Sequence, residues 1–341
     1  MTINVVIGSY LEPDLVDWIA SFGDDLVVHY RPDLLPIPRY ACDHSAPPRT
    51  LTPEQIEEWR AIGATADVFF DFDWLDPSTM AERCPNLKWI QGTSAGIGAV
   101  MQRTGIDQTS IIATTAGGIH AVPLAEFALM GALYFVKGVP FLNTRKSEHH
   151  WERYTTRQLR GLRALVVGLG GMGREIVRVF DAMGVEVTGL GRAGGHYEMA
   201  GLTRVIDRSE LDGALPDVDI LILSSPLTKE TEGMIGAHRL GLLSKDAILI
   251  NVSRGQLVDE EALIAALRTG AIAGACLDVF HHEPLSAESP LWGLDNVIIS
   301  PHSASTVQTE NRDLVELFIE NLGHWRNGEA MRNIYDTAKG Y

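Results

Sequence analysis

The segment that most constrains the fold of this 341-residue chain is a glycine-rich turn between an apolar strand and a helix. The strand is predicted over Ala164–Gly168 and the helix over Gly171–Met183. In such a turn the first glycine permits the sharp reversal, the second lets a ligand approach the backbone, and the third lets the helix pack on the strand. The N–H groups that begin the helix then bind phosphates. We therefore predict a dinucleotide site at Gly168, Gly170, Gly171, Met172 and Gly173; the alternative is a glycine-rich turn without a ligand.

The strand that follows carries the residue expected to select the cofactor. Where NAD is bound, an acidic side chain at the end of this strand usually accepts hydrogen bonds from the adenosine ribose. Here the predicted strand Glu186–Leu190 is followed by Gly191 and Arg192 instead. A guanidinium group matches the 2′-phosphate of NADP in charge and geometry. We therefore expect NADP as the cofactor, with NAD bound more weakly; the alternative is an ordinary surface arginine.

Short β-rich runs alternate with helical patterns along the whole chain, and this alternation is typical of α/β proteins. Val68–Phe72 and Leu87–Gln91 are such runs in the first third. Later runs such as Ala247–Val252 and Val297–Ser300 consist largely of Val, Ile and Leu, as expected for parallel strands that helices cover on both faces. The length predicts two domains, each with its own core.

Composition argues against several classes of partner. Lys and Arg number 28 against 44 Asp and Glu, a formal net charge of −16, so we expect neither nucleic acid nor a membrane as a partner. The three cysteines lack paired spacing, so neither a disulfide framework nor a metal site is expected. The first residues, Met1–Gly8, predict a β-strand without a basic leader, so we expect a cytoplasmic protein.

Three charged side chains that suit one chemistry each follow closely on a predicted strand: Arg254, Glu283 and His302. Doubly wound sheets bind ligands outside the carboxyl ends of their strands, so these side chains should converge on one crevice. Reduction of a 2-oxoacid needs a cation for the carboxylate and a proton donor for the carbonyl oxygen. Taken singly, Arg254 or Glu283 is more often part of a structural ion pair, and His302 is more often a surface histidine.

The motifs around these residues occur in a characteristic order: the glycine turn, Pro226-Leu-Thr228 with Thr231, Asn251–Gly255, Leu277–Pro284 and Pro301-His302, with Leu87–Gly96 and Ala125-Glu126 before them. Together they resemble the D-isomer-specific 2-hydroxyacid dehydrogenase family over nearly the whole chain. The resemblance implies an α/β protein of two Rossmann-like domains with doubly wound parallel sheets. A dinucleotide-binding domain of residues 117–304 would be inserted into a flavodoxin-like substrate domain of residues 1–116 plus 305–341.

The resemblance also implies residue roles. His302 would be the general acid/base, Glu283 its partner and Arg254 the anchor of the substrate carboxylate. These roles agree with physical expectation, because a carboxylate at one ring nitrogen stabilises the imidazolium that must donate a proton. The implied substrate-binding residues are Ser94, Ala95 and Gly96, together with Arg254 and His302. The implied cofactor-lining residues beyond the glycine turn and Arg192 are Pro226, Thr231, Val252 and Asp278, the last holding the nicotinamide carboxamide.

Several positions leave alternatives open. Gly98 stands where many relatives carry an acidic residue, and Ser224 stands where many carry histidine. His120 either lines the pocket or is solvated, and Asp71–Trp74 either line the pocket or pack in the core. The proline-rich segment Pro32–Pro53 predicts a long surface loop, and loops of that length are uncommon without a role.

We therefore expect an NADPH-dependent reductase of small 2-oxoacids such as glyoxylate or hydroxypyruvate, working without a metal. The alternatives are a dehydrogenase for a larger 2-oxoacid and a nicotinamide-sensing, corepressor-like regulatory protein. A formate dehydrogenase ranks low, because those enzymes carry glutamine where Glu283 stands. The resemblance further suggests a homodimer through the cofactor domain, with the Val122–Leu142 helix and Asn143–Tyr154 at the contact. A buried intradomain helix would give the same apolar pattern.

Overall fold

The computed structural model describes residues 2–192, 195 and 197–338. The chain divides into two compact units, Met1–His120 with Thr306–Tyr341 and Ala121–Ser305. These boundaries fall within four residues of the positions 116/117 and 304/305 predicted from the sequence. Each unit contains one parallel sheet with helices around it, so the predicted α/β class with two parallel sheets is confirmed.

The first unit is built on a five-stranded sheet in the order β2-β1-β3-β4-β5, with every neighbouring pair parallel. Its strands are β1 (Ile3–Ile7), β2 (Leu26–His29), β3 (Val68–Phe70), β4 (Trp89–Gln91) and β5 (Ile112–Thr114). Its helices are α1 (Pro13–Ala20), α2 (Pro53–Gly63), α3 (Met80–Arg83), α4 (Gly98–Thr104) and α11 (Glu310–Asn327), the last returning from the second unit. The strand order reverses between β1 and β3, so the carboxyl ends of these two strands flank the position where such sheets bind ligands.

Local sequence explains where the helices of the first unit begin and how they pack. Thr52 caps α2 in a capping box with Gln55, and proline occupies the first turn of that helix. The returning helix α11 packs its apolar side on the sheet, where Phe318 stacks on Trp89 with ring centroids 5.1 Å apart. Both aromatic side chains are fully buried, so α11 belongs to the core of the first unit although it comes from the end of the chain.

The second unit is built on a seven-stranded parallel sheet in the order β12-β11-β10-β9-β6-β7-β8. Its strands are β6 (Arg163–Val167), β7 (Glu186–Leu190), β8 (Leu202–Ile206), β9 (Ile220–Leu223), β10 (Ile248–Asn251), β11 (Gly274–Leu277) and β12 (Val297–Ile299). Its helices are α5 (Ala121–Val136), α6 (Val139–Ser147), α7 (Gly171–Ala182), α8 (Leu211–Ala214), α9 (Ala237–Leu242) and α10 (Glu260–Thr269). The order reverses between β6 and β9, where a ligand crevice is expected.

The central strands of the second sheet are buried on both faces, as their Val, Ile and Leu runs predict. Alternate residues of β9 enter two different apolar clusters: Leu221 and Leu223 pack on one face, and Ile220 and Ile222 on the other. Helices α5 and α7 cover the second of these faces. Helices and apolar side chains pack on both faces of the sheet. The loops at its carboxyl edge therefore begin from fixed positions.

The apolar segment predicted as one helix over Val122–Leu142 is two helices. Gly138 adopts a left-handed conformation with φ of 65° and separates α5 from α6, and Pro140 lies in the first turn of α6. The single-helix prediction was wrong because the positive φ ends one helix before the next begins. Among the described residues no single helix is both long and apolar enough to cross a bilayer; α5 and α6 reach that length only as a pair, with a bend of 60° between them.

The proline-rich loop is ordered by internal hydrogen bonds, although it contains no helix or strand before α2. The buried carboxylate of Asp43 accepts bonds from Arg39 Nε at 2.7 Å and Nη2 at 2.9 Å, and from Ser45 N at 3.2 Å. Arg49 Nη1 donates to the carbonyl oxygen of Leu35 at 3.4 Å. These bonds fix the position of His44, which lies between Asp43 and Ser45.

Candidate active site

Gly168, Gly170 and Gly173 in the turn after β6 each serve a different purpose. Gly168 has a φ of 100°, and a Cβ there would lie 2.6 Å from Ser225 Oγ. A Cβ on Gly173 would overlap the carbonyl oxygen of Gly168, so the helix could not approach the strand. Gly170 differs, because its φ of −75° suits any residue and a Cβ there would meet no protein atom within 4 Å. Space beside its backbone is what the approach of a pyrophosphate requires, so the turn fits a dinucleotide.

The start of α7 is equally suited to phosphate. No side chain caps the helix, so its first N–H groups at Gly171, Met172 and Gly173 keep their capacity to donate to a ligand. Ser224, which follows β9, donates its hydroxyl to the carbonyl oxygen of Gly168 at 2.9 Å, and Ser225 donates to that of Val167 at 3.0 Å. Ser224 therefore stabilises the glycine turn through a hydrogen bond between the loops after β6 and β9, where the strand order reverses.

Arg192 lies directly after β7, next to the strand that leads into the glycine turn. Its backbone N–H donates to the hydroxyl of Tyr197 at 2.9 Å, and its side chain is exposed. Position and exposure agree with a residue that meets the adenosine end of a dinucleotide. Residues 193, 194 and 196, which the neighbouring segment also contains, lie outside the described part of the chain.

Arg254 is presented by a tight turn after β10. Asn251 builds this turn, since its side chain donates to the carbonyl oxygen of Arg254 at 2.9 Å and accepts from Ser253 N at 3.1 Å. The guanidinium itself donates to the carbonyl oxygen of Ser253 at 2.7 Å. Burial lowers the pKa of Arg254, whereas the charge of Glu283 acts to raise it. A partly desolvated guanidinium of this kind gains most from an anionic partner.

His302 and Glu283 form a hydrogen-bonded pair. Nδ1 of the imidazole lies 2.7 Å from Oε2 of the carboxylate, and the other carboxylate oxygen accepts from Phe280 N at 3.0 Å. This bond occupies Nδ1 and leaves Nε2 as the ring nitrogen that can serve a substrate. The two residues come from loops after different strands, β11 and β12, that are neighbours in the sheet.

The electrostatics of the pair suit His302 as a proton donor and Glu283 as the carboxylate that stabilises its charged form. The hydrogen bond that His302 donates to Glu283 raises the pKa of His302, against the effects of burial and of the Arg254 charge. Burial acts to raise the pKa of Glu283, but the hydrogen bonds from His302 and Phe280 and the nearby positive charges outweigh it, so that pKa is lowered. The imidazolium–carboxylate form is therefore favoured over the neutral pair.

Asp278 positions His302. Its buried Oδ1 accepts from Ser300 Oγ at 2.6 Å and from the N–H groups of Ser303 and Ala304, both at 3.0 Å. Its carbonyl oxygen accepts from His302 N at 2.9 Å. These bonds hold His302 in a left-handed conformation with φ of 54° that most residues avoid. Sequence reasoning missed this supporting role, for which the short spacing from β11 to Asp278 is the available signal.

The loops that carry Arg254 and Glu283 are in direct backbone contact. A Cβ on Gly255 would overlap the carbonyl group of Phe280, so only glycine fits between the two loops. Gln256 adds a bond from its side chain to the carbonyl oxygen of His281 at 2.9 Å. The structure thus brings Arg254, Asp278, Glu283 and His302 together at the carboxyl edge of one sheet.

The other predicted cofactor-lining residues also lie at this edge. Pro226 and Thr231 belong to one turn after β9, in which Thr231 Oγ1 donates to the carbonyl oxygen of Pro226 at 2.7 Å. Val252 is buried directly after β10. Among the described residues no group of His, Cys, Asp and Glu side chains is arranged to hold a metal ion.

The predicted substrate residues Ser94, Ala95 and Gly96 belong to the first unit. They are exposed in the turn after β4, and Gly96 N donates to Ser94 Oγ at 3.3 Å. His120 also belongs to this unit, where its Nε2 lies 3.0 Å from Oε1 of Glu310 at the start of α11. Of the segment Asp71–Trp74, Asp73 packs in the core and accepts from Trp59 Nε1 at 2.9 Å.

A dinucleotide-type glycine turn beside a hydrogen-bonded imidazole and carboxylate is typical of α/β oxidoreductases. Residues 129–304 match the sequence model of the D-isomer specific 2-hydroxyacid dehydrogenase NAD binding domain. A glyoxylate reductase from Thermofilum pendens is 32% identical over 262 residues, covering 73% of this chain and 75% of that protein. Another from Thermococcus litoralis is 32% identical over 308 residues, covering 86% and 88%.

Solved structures give the same result. The crystal structure of a D-isomer specific 2-hydroxyacid dehydrogenase from Xanthobacter autotrophicus Py2, in complex with NADPH and MES, matches with a TM-score of 0.80 and 29% identity over the full length of both chains. The chain therefore belongs to the D-isomer-specific 2-hydroxyacid dehydrogenase family, and the resemblance inferred from the sequence is confirmed. It is an NAD(P)-dependent oxidoreductase that acts on CH–OH donors and, in the reverse direction, on 2-oxoacids.

Proposed function

We propose that the protein reduces small 2-oxoacids of the glyoxylate and hydroxypyruvate type to D-2-hydroxyacids with NADPH. The observation that carries the proposal is the 2.7 Å bond between His302 Nδ1 and Glu283 Oε2, with the Arg254 guanidinium influencing the pKa of both groups. The relatives named glyoxylate reductases support small 2-oxoacids as substrates.

In the proposed mechanism His302 is the general acid. Its Nδ1 is held by Glu283, so the proton that reaches the carbonyl oxygen of the substrate leaves from Nε2. Glu283 stabilises the imidazolium before transfer, and its own lowered pKa keeps it ionised. Asp278 contributes by fixing the backbone of His302 rather than by touching the reacting atoms.

Arg254 is the proposed anchor of the substrate carboxylate. Its partly buried, cationic side chain can pair with the carboxylate and polarise the neighbouring carbonyl group. We assign Ser94, Ala95 and Gly96 to the same carboxylate through their backbone N–H groups, as the family resemblance implies. The first unit then has the role of a substrate domain, and the second that of a dinucleotide-binding domain.

A bound nicotinamide dinucleotide would supply the hydride. The residues that fit it are the glycine turn Gly168–Gly173, with Pro226, Thr231, Val252 and Asp278 around the same edge of the sheet. Arg192 is the proposed partner of the 2′-phosphate, and it is the reason for preferring NADP over NAD. The NADPH complex of the Xanthobacter relative supports this preference.

We further propose a cytoplasmic homodimer. The candidate contact is α6 and the segment after it, where Trp151 is 96% exposed. A large apolar side chain left that accessible is typical of a protein interface. The alternative, a buried helix within its own unit, applies to α5, of whose sixteen residues eight are buried.

The test is turnover with a panel of 2-oxoacids, assayed with NADPH and NADH in parallel. We expect reduction of glyoxylate or hydroxypyruvate, fastest with NADPH, and no dependence on added metal. His302→Ala should abolish turnover while leaving NADPH binding nearly intact; the exposed neighbour His282, changed to alanine, is the matched control. Unchanged turnover in His302→Ala would refute the proposed mechanism, and no reduction of any 2-oxoacid by the unmodified protein would favour the regulatory alternative.

A further inference from the structure

A second group of polar side chains lies at the carboxyl edge of the first sheet, where the strand order reverses. Ser9 follows β1, Asp71 follows β3 and Thr93 follows β4, while the proline-rich loop brings His44 to the same place. Both hydroxyls and the imidazole influence the pKa of the Asp71 carboxyl group, so the four side chains form one cluster. A reversal point in a parallel sheet is where ligands bind in such folds.

The cluster contains more hydrogen-bonding capacity than the protein uses. Nδ1 and Nε2 of His44 are both buried, and neither makes a hydrogen bond within the described ranges 2–192, 195 and 197–338. Ser9 is 8% exposed, and its Oγ likewise has no partner of regular geometry there. One oxygen of Asp71 accepts from Phe72 N at 2.9 Å. Buried polar atoms without partners are costly, so they point to a group that completes them.

The backbone at Asp71 is held in an unusual conformation. Its φ is 70°, in the left-handed region, and its N–H donates to the carbonyl oxygen of Gln91 at 2.7 Å. Burial raises the pKa of this carboxyl group, although the charge of His44 and the nearby hydroxyls act in the opposite direction. A carboxyl group that loses solvent and lies on strained backbone directly after a strand opposes stability, and such positions are often functional.

We propose that Asp71 and His44, with Ser9 and Thr93, form a subsite that binds a hydroxyl group on carbon 3 of the 2-oxoacid. The proposal rests on the proposed function, and it places the subsite beside Ser94, which follows Thr93 directly in the turn assigned to the substrate carboxylate. Under this proposal, side chains of the first unit determine which 2-oxoacid the enzyme prefers.

The chemistry of the cluster selects a hydroxyl over charged groups. The imidazole of His44 offers an N–H donor and Asp71 offers an acceptor, so a hydroxyl that both donates and accepts satisfies both partners. A second carboxylate can only accept and would be repelled by Asp71, whereas an ammonium group can only donate and would leave the imidazole N–H unpaired. A bare methyl group would leave every polar atom of the cluster unsatisfied.

The test compares hydroxypyruvate with pyruvate, which differ only in that hydroxyl. We expect the unmodified enzyme to favour hydroxypyruvate in kcat/KM by at least about 30-fold, the discrimination that hydrogen bonds to a charged group provide. Asp71→Asn and His44→Gln should each reduce this ratio by about 10-fold or more, mainly by lowering kcat/KM for hydroxypyruvate. Asparagine tolerates the left-handed conformation at position 71, so the backbone is retained.

Asp73→Asn is the matched control two residues away. Asp73 is buried, accepts from Trp59 and Leu75 and pairs with Arg83, so its replacement should lower the melting temperature and leave the substrate ratio unchanged. Asp71→Asn should instead keep or raise the melting temperature at neutral pH, because it removes a desolvated charge. A purely structural role for Asp71 would make both variants lose stability.

The outcomes separate the two proposals. If the unmodified enzyme reduces glyoxylate but shows less than about 2-fold preference for hydroxypyruvate, or if both subsite variants keep the ratio, the subsite is wrong and the proposed function stands. If no 2-oxoacid is reduced with either cofactor, both are overturned.

Discussion

Glu283 holds the imidazole of His302 by Nδ1 at 2.7 Å, and the same carboxylate is itself held by the backbone N–H of Phe280 at 3.0 Å. The carboxylate therefore cannot turn away from the imidazole without losing a second bond. This arrangement fixes which ring nitrogen faces a substrate and raises the pKa of the histidine. A pH profile can test both consequences.

Glu283→Gln should shift the pH dependence of reduction to lower pH. His302 must be protonated to act as the acid, and its pKa is raised above the ordinary 6.5 mainly by the bond from Glu283. Without that carboxylate, burial and the charge of Arg254 lower the pKa of His302, so the fall of kcat/KM with rising pH should begin at a lower pH. The measurement is kcat/KM against pH.

The same variant changes stability with a defined sign. A histidine whose pKa is raised in the folded state stabilises that state fully below its unfolded pKa, and this contribution is lost as the pH rises through the folded pKa. Glu283→Gln should therefore destabilise the protein more at pH 5 than at pH 9. Glu288→Gln, an exposed carboxylate in the same loop, is the control. An identical pH profile in Glu283→Gln and the unmodified enzyme would contradict the assigned pair.

Two glycines of the turn should respond differently to the same substitution. Gly170→Ala adds a methyl group that meets no protein atom, so the apoprotein should keep its stability or gain up to about 1 kcal/mol, while NADPH binds more weakly. Gly173→Ala would overlap the carbonyl oxygen of Gly168 and should lower the melting temperature strongly. Thermal unfolding and NADPH titration separate the two effects; equal NADPH affinity in Gly170→Ala would mean that no phosphate approaches that backbone.

Arg192→Asp should reverse the cofactor preference. The substitution replaces a cation proposed to pair with the 2′-phosphate by an anion that repels it, so NADPH affinity should fall about 10-fold or more while NADH affinity changes little. The measurement is the ratio of the two dissociation constants. Arg268→Asp, an exposed arginine in the last turn of α10, is the matched control and should leave the ratio alone. If Arg192→Asp weakened the binding of NADPH and NADH equally, Arg192 would not be the partner of the 2′-phosphate.

Trp151→Asp should dissociate the proposed homodimer. In light scattering the unmodified protein should have about twice the chain mass of 37.3 kDa, and the variant should approach the single-chain value. A charge on a side chain that is 96% exposed costs the monomer little, whereas at an apolar interface it is strongly unfavourable. Trp292→Asp, at a side chain that is 55% exposed, should leave the mass unchanged. A monomeric unmodified protein would refute the dimer.

The sequence predicted the central strands well but missed two edge strands, β2 and β8, for a physical reason. β9 and β10 are buried on both faces and consist of apolar runs. β2 and β8 lie at the edges of their sheets, and apolar and polar residues alternate less regularly along them. Composition therefore did not distinguish these strands from loops.

The candidate site shows a similar limit. Arg254, Glu283 and His302 follow strands of one parallel sheet, and strand order along the chain was enough to predict that they meet. The bonds from Asp278 Oδ1 to three later residues could not be predicted, because a loop conformation rather than a periodic pattern creates them. His44 was missed for the same reason, since it is placed by the Arg39–Asp43 ion pair of an irregular loop.

The glycine at position 255 has a consequence for engineering this enzyme. Because its missing side chain lets the loop after β10 touch the backbone at Phe280, neither loop can be redesigned alone without displacing the other. Exchange of catalytic loops with a relative should therefore transfer residues 251–256 and 277–284 as one cassette. Chimaeras that carry only half of it are expected to express as folded protein whose charged groups no longer meet, and so to lose turnover before they lose stability.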